Sequence, residues 1–368
     1  MYNHNLFYNE KYEIKGNKFD DLIHEWDIKY ESLMLLEQKR FLMSIIENNN
    51  IKNVLEIGVF NGVSSLCMLK SGLLNKDDFN LYAIDINDNG EFVGQAVYGF
   101  CNKEELEHYH LNIGRTIFDI EEIIPKDIKF DLVFIDGGHS HPFPLFDLIF
   151  TIPYMHKDSI IILHDIIDYL YPNKWGPSFI FESWIADKYR LYNYDNNQYS
   201  TMGCIKLHNT KSELYNNIKM ISNIDYRSNP FCINYYMDKI GYKEINDIYM
   251  QNSNFGIGFS ILEIEKLRIY MEKYYTKEFA NEIYNIFIFN YNKYLKNAIL
   301  YINETRFFKY LYENSCSNME KVNFLENVIL ELKQQNNYLK LKLNNIIDII
   351  AWWIPIKKLR DKFRNKLK

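Results

Sequence analysis

The stretch Val54-Leu-Glu-Ile-Gly-Val-Phe-Asn-Gly-Val-Ser64 decides the fold of this chain. Its first residues are mostly apolar, as in a strand that is buried on both faces. Gly58 and Gly62 then allow a tight turn in which the backbone approaches a ligand, and Ser64 opens the next helix. Glu56, near the end of the strand, is expected to face that ligand. The glycine spacing differs from the Gly-x-Gly-x-x-Gly of dinucleotide folds.

Three more apolar runs end in polar residues, namely Asn80–Asp85, Phe130–His139 and Ser159–Asp165. Helical patterns lie between the runs, which predicts an α/β fold with a parallel, doubly wound sheet. In such a sheet the binding site lies along the edge where the strands end. Asp85, at the end of the second run, has the position of a carboxylate that binds ribose hydroxyls.

The order of these motifs resembles the class I S-adenosylmethionine (SAM)-dependent methyltransferases. The resemblance covers roughly residues 30 to 208 and rests on Glu56-x-Gly-x-x-x-Gly-x-Ser64, Asp85, Asp136-Gly-Gly-His139 and His164-Asp165. The last two motifs are similar to the branch that includes metal-dependent sugar O-methyltransferases of antibiotic and polysaccharide pathways. The resemblance implies a Rossmann-like sheet and SAM as the cofactor.

The resemblance also implies which residues bind the cofactor. It places the glycine loop beside the methionine part, Asp85 on the ribose hydroxyls, and the segment 112–116 beside the adenine. The predicted cofactor-binding residues are Glu56, Gly58, Gly62, Ser64, Asp85, Asn112 and Thr116.

The catalytic residues that the resemblance implies are Asp136, His139 and Asp165. Methyl transfer from a sulfonium to a hydroxyl is an in-line displacement, and the acceptor oxygen loses its proton near the transition state. His139 is the implied general base. Asp136 and Asp165 would hold a divalent cation, magnesium or similar, which orients two vicinal hydroxyls and lowers the pKa of one.

His164 stands where the metal-dependent relatives have a carboxylate. Magnesium prefers oxygen ligands, whereas imidazole suits zinc, iron or nickel. Two roles therefore stay open for His164: a third metal ligand beside Asp136 and Asp165, or a residue that orients Asp165. We favour the orienting role.

Structural roles compete with these assignments. Asp136 is also a suitable turn residue before two glycines, although its place at a strand end favours function. Asp147 is expected to be a helix-surface or capping carboxylate, outside the site. Among Phe179, Phe181 and Trp184, which follow the last site motif, at least two are expected to pack a helix onto the sheet, and the remainder to stack on an acceptor.

The chain has 368 residues, more than a single hydrophobic core usually supports. Apolar residues at helical spacing predict helices over 28–47, 264–275 and 279–301. The predicted parts are an N-terminal helical segment (1–50), the methyltransferase domain (51–208), a helical region of unknown role (209–316), a coiled coil (317–353) and a basic amphipathic tail (354–368).

Composition limits the setting and the partners. A formal net charge of −6 argues against a nucleic-acid partner. The 5 cysteines show no disulfide or Cys-x-x-Cys spacing, which suits a reducing cytoplasm. The first residues lack a signal-peptide pattern, and the sequence holds no uncharged apolar run of about 18 residues. We therefore expect a cytoplasmic protein.

The C-terminal part carries a heptad pattern that predicts a coiled-coil homodimer, and Asn336 at one seam position would fix a parallel register. A long helix folded back on its own chain is the alternative. The seam residues are Val322, Leu325, Ile329, Leu332, Asn336, Leu339, Leu343, Ile346, Ile350 and Trp353.

The tail 352–368 combines two tryptophans with seven Lys or Arg residues and a single Asp. Such a composition is typical of a segment that binds the surface of the inner membrane, where lipid-linked glycans are assembled. A solvated basic end without structure is the alternative.

Together these features predict a SAM-dependent O-methyltransferase that acts on a sugar hydroxyl of a glycan or glycan precursor. Two alternatives remain. The first is a metal-dependent enzyme similar to cephalosporin hydroxylases, with Asp136, His139 and His164 as iron ligands. The second is a non-catalytic scaffold, against which the set of Glu56, Asp85 and His139 argues.

Overall fold

A computed structural model describes residues 20–30, 32–74, 77–139, 141–166, 176–193, 198–207, 210–224 and 261–293. The predicted coiled coil and the basic tail lie outside these residues. In the described ranges, no helix is long and apolar enough to cross a membrane.

A seven-stranded sheet forms the centre of the fold, in the order β3-β2-β1-β4-β5-β7-β6. Strands β1 to β5 are parallel, and β7 runs antiparallel to both β5 and β6. The predicted doubly wound sheet is therefore confirmed, and the strand order reverses between β1 and β4. The strands are β1 (Asn53–Ile57), β2 (Asn80–Asp85), β3 (Tyr109–Ile113), β4 (Phe130–Ile135), β5 (Met155–Leu163), β6 (Lys188–Asn193) and β7 (Gln198–Lys206).

Helices connect the strands and continue after β7. They are α1 (Asp20–Tyr30), α2 (Leu36–Asn48), α3 (Val63–Leu73), α4 (Gln95–Phe100), α5 (Lys103–Leu106), α6 (Ile120–Ile123), α7 (Phe143–Thr151), α8 (Gly176–Ser183), α9 (Lys211–Ser222), α10 (Ile261–Tyr274) and α11 (277–293).

Both faces of the sheet are buried, which explains why its strands are nearly continuous apolar runs. Val54 and Leu132 lie in a core that also contains Trp26 of α1 and residues of α2 and α3. Leu55 and Val133 come next along the same strands and point to the opposite face, where they are also fully buried. Helices therefore cover the sheet from two sides and leave the strand ends free to form a site.

The N-terminal segment differs from its prediction. One helix was expected over 28–47, whereas the structure has α1 and α2 with a break between them. Lys39 of α2 is buried and lies 2.5 Å from the carboxylate of Asp27 in α1. Asn61, in the loop after β1, donates a hydrogen bond to the carbonyl oxygen of Tyr30. The break thus places α1 against the glycine loop.

Within the described residues, α10 and α11 confirm the helices predicted over 264–275 and 279–301 as far as residue 293. Helix α10 packs against α7. Tyr270 donates a hydrogen bond to the carbonyl oxygen of Phe150 at 2.6 Å, and its ring stacks on Phe150 with centroids 4.2 Å apart. Tyr275 donates to the carbonyl oxygen of Ile149 at 2.7 Å. Tyr270 and Tyr275 therefore bind the C-terminal helical region to α7, which covers the sheet.

Candidate active site

The loop after β1 is shaped by two glycines in the left-handed region of backbone space. Gly58 has a φ of +89°, and a Cβ atom there would collide with the backbone carbonyl of Asp136. Gly62 has a φ of +85°, and a Cβ atom there would lie 2.6 Å from the Cα atom of Gly94. Both positions therefore require glycine. The close approach to Asp136 also brings the loop directly against the end of β4.

Glu56 is fully buried beneath this loop. Its carboxyl group accepts hydrogen bonds from the hydroxyls of Ser64 and Ser65 in the first turn of α3. Burial raises the pKa of Glu56 to about 8, although the two serine hydroxyls oppose the shift. The predicted contacts of Glu56 and Ser64 with a cofactor stay predictions. The observed contacts join the end of β1 to α3.

Asp85 organises the glycine loop from the end of β2. One carboxylate oxygen accepts hydrogen bonds from the backbone nitrogens of Val59 and Phe60 at 2.8 and 2.9 Å. The other oxygen accepts from the nitrogen of Asn87 at 2.8 Å. A carboxylate offers about four acceptor positions, so one remains for another donor. The predicted contact of Asp85 with ribose hydroxyls agrees with that spare position.

The segment after β3 lies beside Asp85. The backbone nitrogen of Arg115 donates to the carbonyl oxygen of Asp85 at 3.1 Å. Asn112 is in β3, paired with Ile84 of β2. The backbone nitrogen of Thr116 donates to the carboxylate of Asp119 at 3.1 Å and so begins a short 3-10 helix. The structure therefore brings Asn112 and Thr116 to the predicted edge, where their contact with an adenine stays a prediction.

Four titratable side chains meet where β4 and β5 end. His139 Nδ1 lies 2.7 Å from Asp165 Oδ2, and His139 Nε2 lies 3.3 Å from Asp136 Oδ1. His164 Nδ1 lies 3.1 Å from Asp165 Oδ1 and 3.2 Å from Asp136 Oδ1. We call these four residues the Asp-His cluster. The sequence predicted its members, and the structure brings them together.

The cluster is an arrangement of mutual ion pairs. Burial opposes the charge of both imidazoles, but Asp136 and Asp165 outweigh it, raising the pKa of His139 to about 9 and that of His164 to about 10. Burial also works against the carboxylates, yet the two histidines hold the pKa of Asp136 and that of Asp165 below their ordinary values. At neutral pH, two positive imidazoles therefore balance two negative carboxylates, and His139 already carries the proton that a base would accept.

Asp165 holds an unusual backbone conformation, with a φ of +52°. Residues other than glycine rarely adopt this left-handed region of backbone space, and such conformations concentrate at functional sites. The neighbouring backbone is fixed on both sides: His164 N donates to Ile135 O at 3.1 Å, and Ile166 N donates to Thr201 O at 2.8 Å. These bonds hold the carboxylate of Asp165 toward the histidines.

The cluster does not form a metal site as it stands. Within the described ranges, no group of three or more His, Cys, Asp or Glu side chains is arranged to hold a metal ion. The donor types nevertheless fit one, because His164 Nδ1 is buried without a well-directed hydrogen bond beside two carboxylate oxygens. Two carboxylates with an imidazole suit a divalent transition metal better than magnesium.

Gln38 of α2 is a site residue that our sequence analysis missed. Its amide oxygen lies 3.3 Å from His164 Nε2, and its amide nitrogen donates to Thr201 Oγ1 at 2.9 Å. The side chain is buried, and the only sequence signal was a polar residue on the apolar face of a helix. The cluster is thus completed from the N-terminal segment.

Two other expectations concern α7 and α8. Asp147 was expected to be a helix-surface or capping carboxylate, which is wrong: the residue lies in the middle of α7 and is 6% exposed. Burial raises the pKa of its carboxyl group to about 8. Phe181 and Trp184 are fully buried, which confirms that at least two of the three aromatics pack a helix onto the sheet. Phe179 is half-buried and contacts His141 edge to face.

Residues 55–166 match the family model described as a methyltransferase domain. This range contains every residue that we predicted for the site. Together with the parallel sheet and the glycine loop, the match shows that this part of the chain is similar to a methyltransferase domain.

Curated relatives with similar sequences are plant enzymes that methylate oxygen. The chain is 30% identical to caffeoyl-CoA O-methyltransferase 2 of Petunia hybrida over 125 residues, which cover 32% of this chain and 47% of that protein. It is 28% identical to caffeoyl-CoA O-methyltransferase 1 of Eucalyptus globulus over 123 residues, covering 32% of this chain and 46% of the relative. The chain thus spans about half the length of the curated relatives it matches.

Solved structures with weak overall similarity include an O-methyltransferase from Streptomyces achromogenes involved in tomaymycin synthesis, in complex with SAM. Its TM-score is 0.41 at 14% identity, over 51% of this chain and 89% of that one. A putative caffeoyl-CoA O-methyltransferase from Staphylococcus aureus gives a TM-score of 0.41 at 14% identity, over 53% and 94% of the two chains.

Proposed function

We propose that this protein is a SAM-dependent O-methyltransferase that transfers a methyl group to a sugar hydroxyl of a glycan or glycan precursor. The observation that carries the proposal is the place of the Asp-His cluster. Asp136 belongs to the cluster, and its backbone touches the glycine loop at Gly58. Groups able to orient and deprotonate a hydroxyl therefore lie next to the loop where a methyl donor would bind.

The chemistry requires an acceptor oxygen in line with the methyl carbon and a group that takes its proton. His139 is the proposed base, and its reach is set by the 2.7 Å contact with Asp165. As long as both carboxylates face it, however, His139 keeps its own proton at neutral pH. The proposed reaction therefore needs an event that draws Asp136 or Asp165 away from His139, such as acceptor binding.

A divalent cation is a proposed, optional part of this site. Asp136 and Asp165, with His164 as a third donor, are the residues that would hold it. When bound, it would supply a Lewis acid that lowers the pKa of the acceptor hydroxyl. The carboxylates would then be shared with the cation, and His139 would lose part of the attraction that holds its proton.

Calorimetric titration of the full chain with SAM tests the first part of the proposal. Binding with a dissociation constant in the micromolar range is expected. Absence of binding at high micromolar SAM would overturn the assignment as a methyltransferase and favour a scaffold. Metal analysis of the purified protein is run in parallel, because bound iron without SAM binding would support the hydroxylase-like alternative instead.

The acceptor class is tested with SAM that carries a labelled methyl group. Nucleotide sugars and oligosaccharides form one panel, and caffeoyl-CoA forms the other, because relatives of the domain bear its name. Label in the sugar panel is expected. Label in caffeoyl-CoA alone would overturn the sugar acceptor and leave methyl transfer standing.

We further propose that residues 317–353 form a parallel coiled-coil homodimer and that 354–368 contact the inner leaflet of a membrane. Sedimentation of the full chain is expected to give a dimer. Binding to anionic phosphatidylglycerol vesicles is expected to exceed binding to phosphatidylcholine vesicles, and equal binding to both would contradict the tail's role.

A further inference from the structure

Gln38 lies outside the methyltransferase domain match, and its side chain touches the Asp-His cluster. Its side chain is buried, and the residue is only 2% exposed. The amide nitrogen donates to Thr201 Oγ1 at 2.9 Å and to Ser200 Oγ at 3.3 Å, both on β7. The amide oxygen accepts from the backbone nitrogen of Leu35 at 2.8 Å and lies 3.3 Å from His164 Nε2. Both donors and both acceptor positions of the amide are therefore used.

These contacts fix which way the amide faces. The backbone nitrogen of Leu35 is always a donor, so the group opposite it must be the amide oxygen. Rotating the amide by half a turn would set a donor against that donor and would leave a buried N–H without a partner, at a cost of roughly 1–3 kcal/mol. The same oxygen faces His164 Nε2, so that ring nitrogen must carry a hydrogen.

The orientation of the His164 ring follows from this requirement. With Nε2–H directed at Gln38, the other nitrogen, Nδ1, faces Asp136 and Asp165. A ring rotated by half a turn would turn carbon atoms toward both the amide and the carboxylates. Gln38 thus decides which edge of His164 enters the cluster, as partners behind functional histidines commonly do.

The same glutamine is tied to the backbone of Asp165. Thr201 receives the amide hydrogen bond on its hydroxyl, and its carbonyl oxygen accepts from Ile166 N at 2.8 Å. Ile166 directly follows Asp165, whose φ is +52°. The Gln38 side chain is therefore linked directly to His164. Through Thr201 of β7 it is also linked to the backbone next to Asp165.

We propose that Gln38 is a positioning residue for the methyl transfer, acting by holding His164 with Nδ1 toward Asp136 and Asp165. This inference rests on the proposed function for its catalytic meaning, while the ring orientation itself is independent of it.

The test compares two variants of the full chain. Gln38→Met keeps the length of the side chain but removes all four polar contacts. Gln38→Glu keeps an acceptor oxygen for Leu35 N and for His164 Nε2. Asn217→Leu is the control, because Asn217 is a buried amide whose hydrogen bonds go to the backbone of Ile185 and not to a residue of the cluster.

The first readout is the side-chain nitrogen–proton spectrum of histidine-labelled protein, with the His164 signal assigned through a His164→Gln variant. The hydrogen-bonded Nε2 proton is expected in the wild type, in Gln38→Glu and in Asn217→Leu, and is expected to disappear in Gln38→Met. Persistence of that signal in Gln38→Met would overturn the proposal.

The second readout separates turnover from binding. Gln38→Met is expected to lower kcat about 10- to 100-fold, the usual range for partners behind a functional histidine, with SAM affinity unchanged and with activity largely restored in Gln38→Glu. A kcat within twofold of Asn217→Leu would contradict the role. Absence of SAM binding in the wild type would instead overturn the proposed function. The nitrogen–proton spectrum would still show the orientation of the His164 ring.

Discussion

The two ends of the candidate site are built in different ways. The cofactor end, from the glycine loop to Asp85, is held by backbone geometry: glycines at positive φ and a carboxylate that accepts three backbone hydrogen bonds. The acceptor end is held by charges on four side chains and by one glutamine from α2. The first end is therefore expected to be rigid, whereas the second is expected to change with the protonation of its four side chains.

The largest effect is expected at the acceptor end. His139→Ala is predicted to lower turnover about 1,000-fold, within the usual range for a general base, while SAM affinity changes less than threefold. Labelled methyl transfer and calorimetry measure the two quantities. His156→Ala is the matched control, since His156 also pairs with an aspartate, Asp131 at 2.9 Å, but lies at the start of β5. Equal losses in both variants would show that His139 has no special role.

The cofactor end should show the reverse pattern. Asp85→Ala removes the acceptor of three loop hydrogen bonds and is predicted to weaken SAM binding about 100-fold, because charged acceptors contribute roughly 1.5–3 kcal/mol each. Asp88→Ala, an exposed aspartate three residues away, is the control. If Asp85→Ala binds SAM as tightly as Asp88→Ala, the contrast between the two ends fails.

Backbone geometry at the cofactor end has its own test. Gly58→Ala is predicted to lower the free energy of unfolding by about 2–3 kcal/mol, because its Cβ meets the carbonyl of Asp136 and its φ is +89°. Urea unfolding measures the change. Gly90→Ala is the control, since its Cβ would meet only a flexible methyl group of Ile113. A loss of under 0.5 kcal/mol in Gly58→Ala would contradict the geometry of the loop.

The pH response sharpens the comparison further. The folded pKa of His139 is about 9, raised above its ordinary value of 6.5, so the stabilising ion pairs are fully present below pH 6.5 and are lost as the pH rises through 9. If His139 is the base, kcat/KM without added cation should rise about tenfold between pH 7 and 8 and level off above pH 9, because kcat/KM reports the pKa of the free enzyme. A kcat/KM that is flat from pH 7 to 9, in protein freed of metal, would rule His139 out as the base.

The sequence predicted most of the cofactor end because local rules govern it. Apolar runs of strand length, glycines at a turn and an acid at a strand end each leave a mark within a few residues. Such rules do not show which groups a side chain contacts. Glu56 was expected to face the ligand, which stays a prediction, and its hydrogen bonds with Ser64 and Ser65 leave no mark in the spacing.

The acceptor end was predictable in membership but not in arrangement. Asp136, His139, His164 and Asp165 follow strands whose parallel pairing brings their ends together, so the sequence alone grouped them. Their mutual ion pairing depends on side-chain directions that no spacing records. The burial of Asp147 was not predicted, because helices α8, α9 and α10 all contact α7. The way these helices pack is not recorded in any sequence motif. The role of Gln38 was not predicted, because its partners His164, Ser200 and Thr201 are far from it in the sequence.

The hydrogen bond from Gln38 to Thr201 spans 163 positions of the chain. Closing so long a loop costs chain entropy before any contact repays it, and folds rich in long-range contacts fold more slowly. A chain emerging from the ribosome has its glycine loop and Asp85 long before it has β7. The cofactor end is therefore expected to assemble first during synthesis, and the histidine that completes the other end takes its final orientation only after Thr201 has been made.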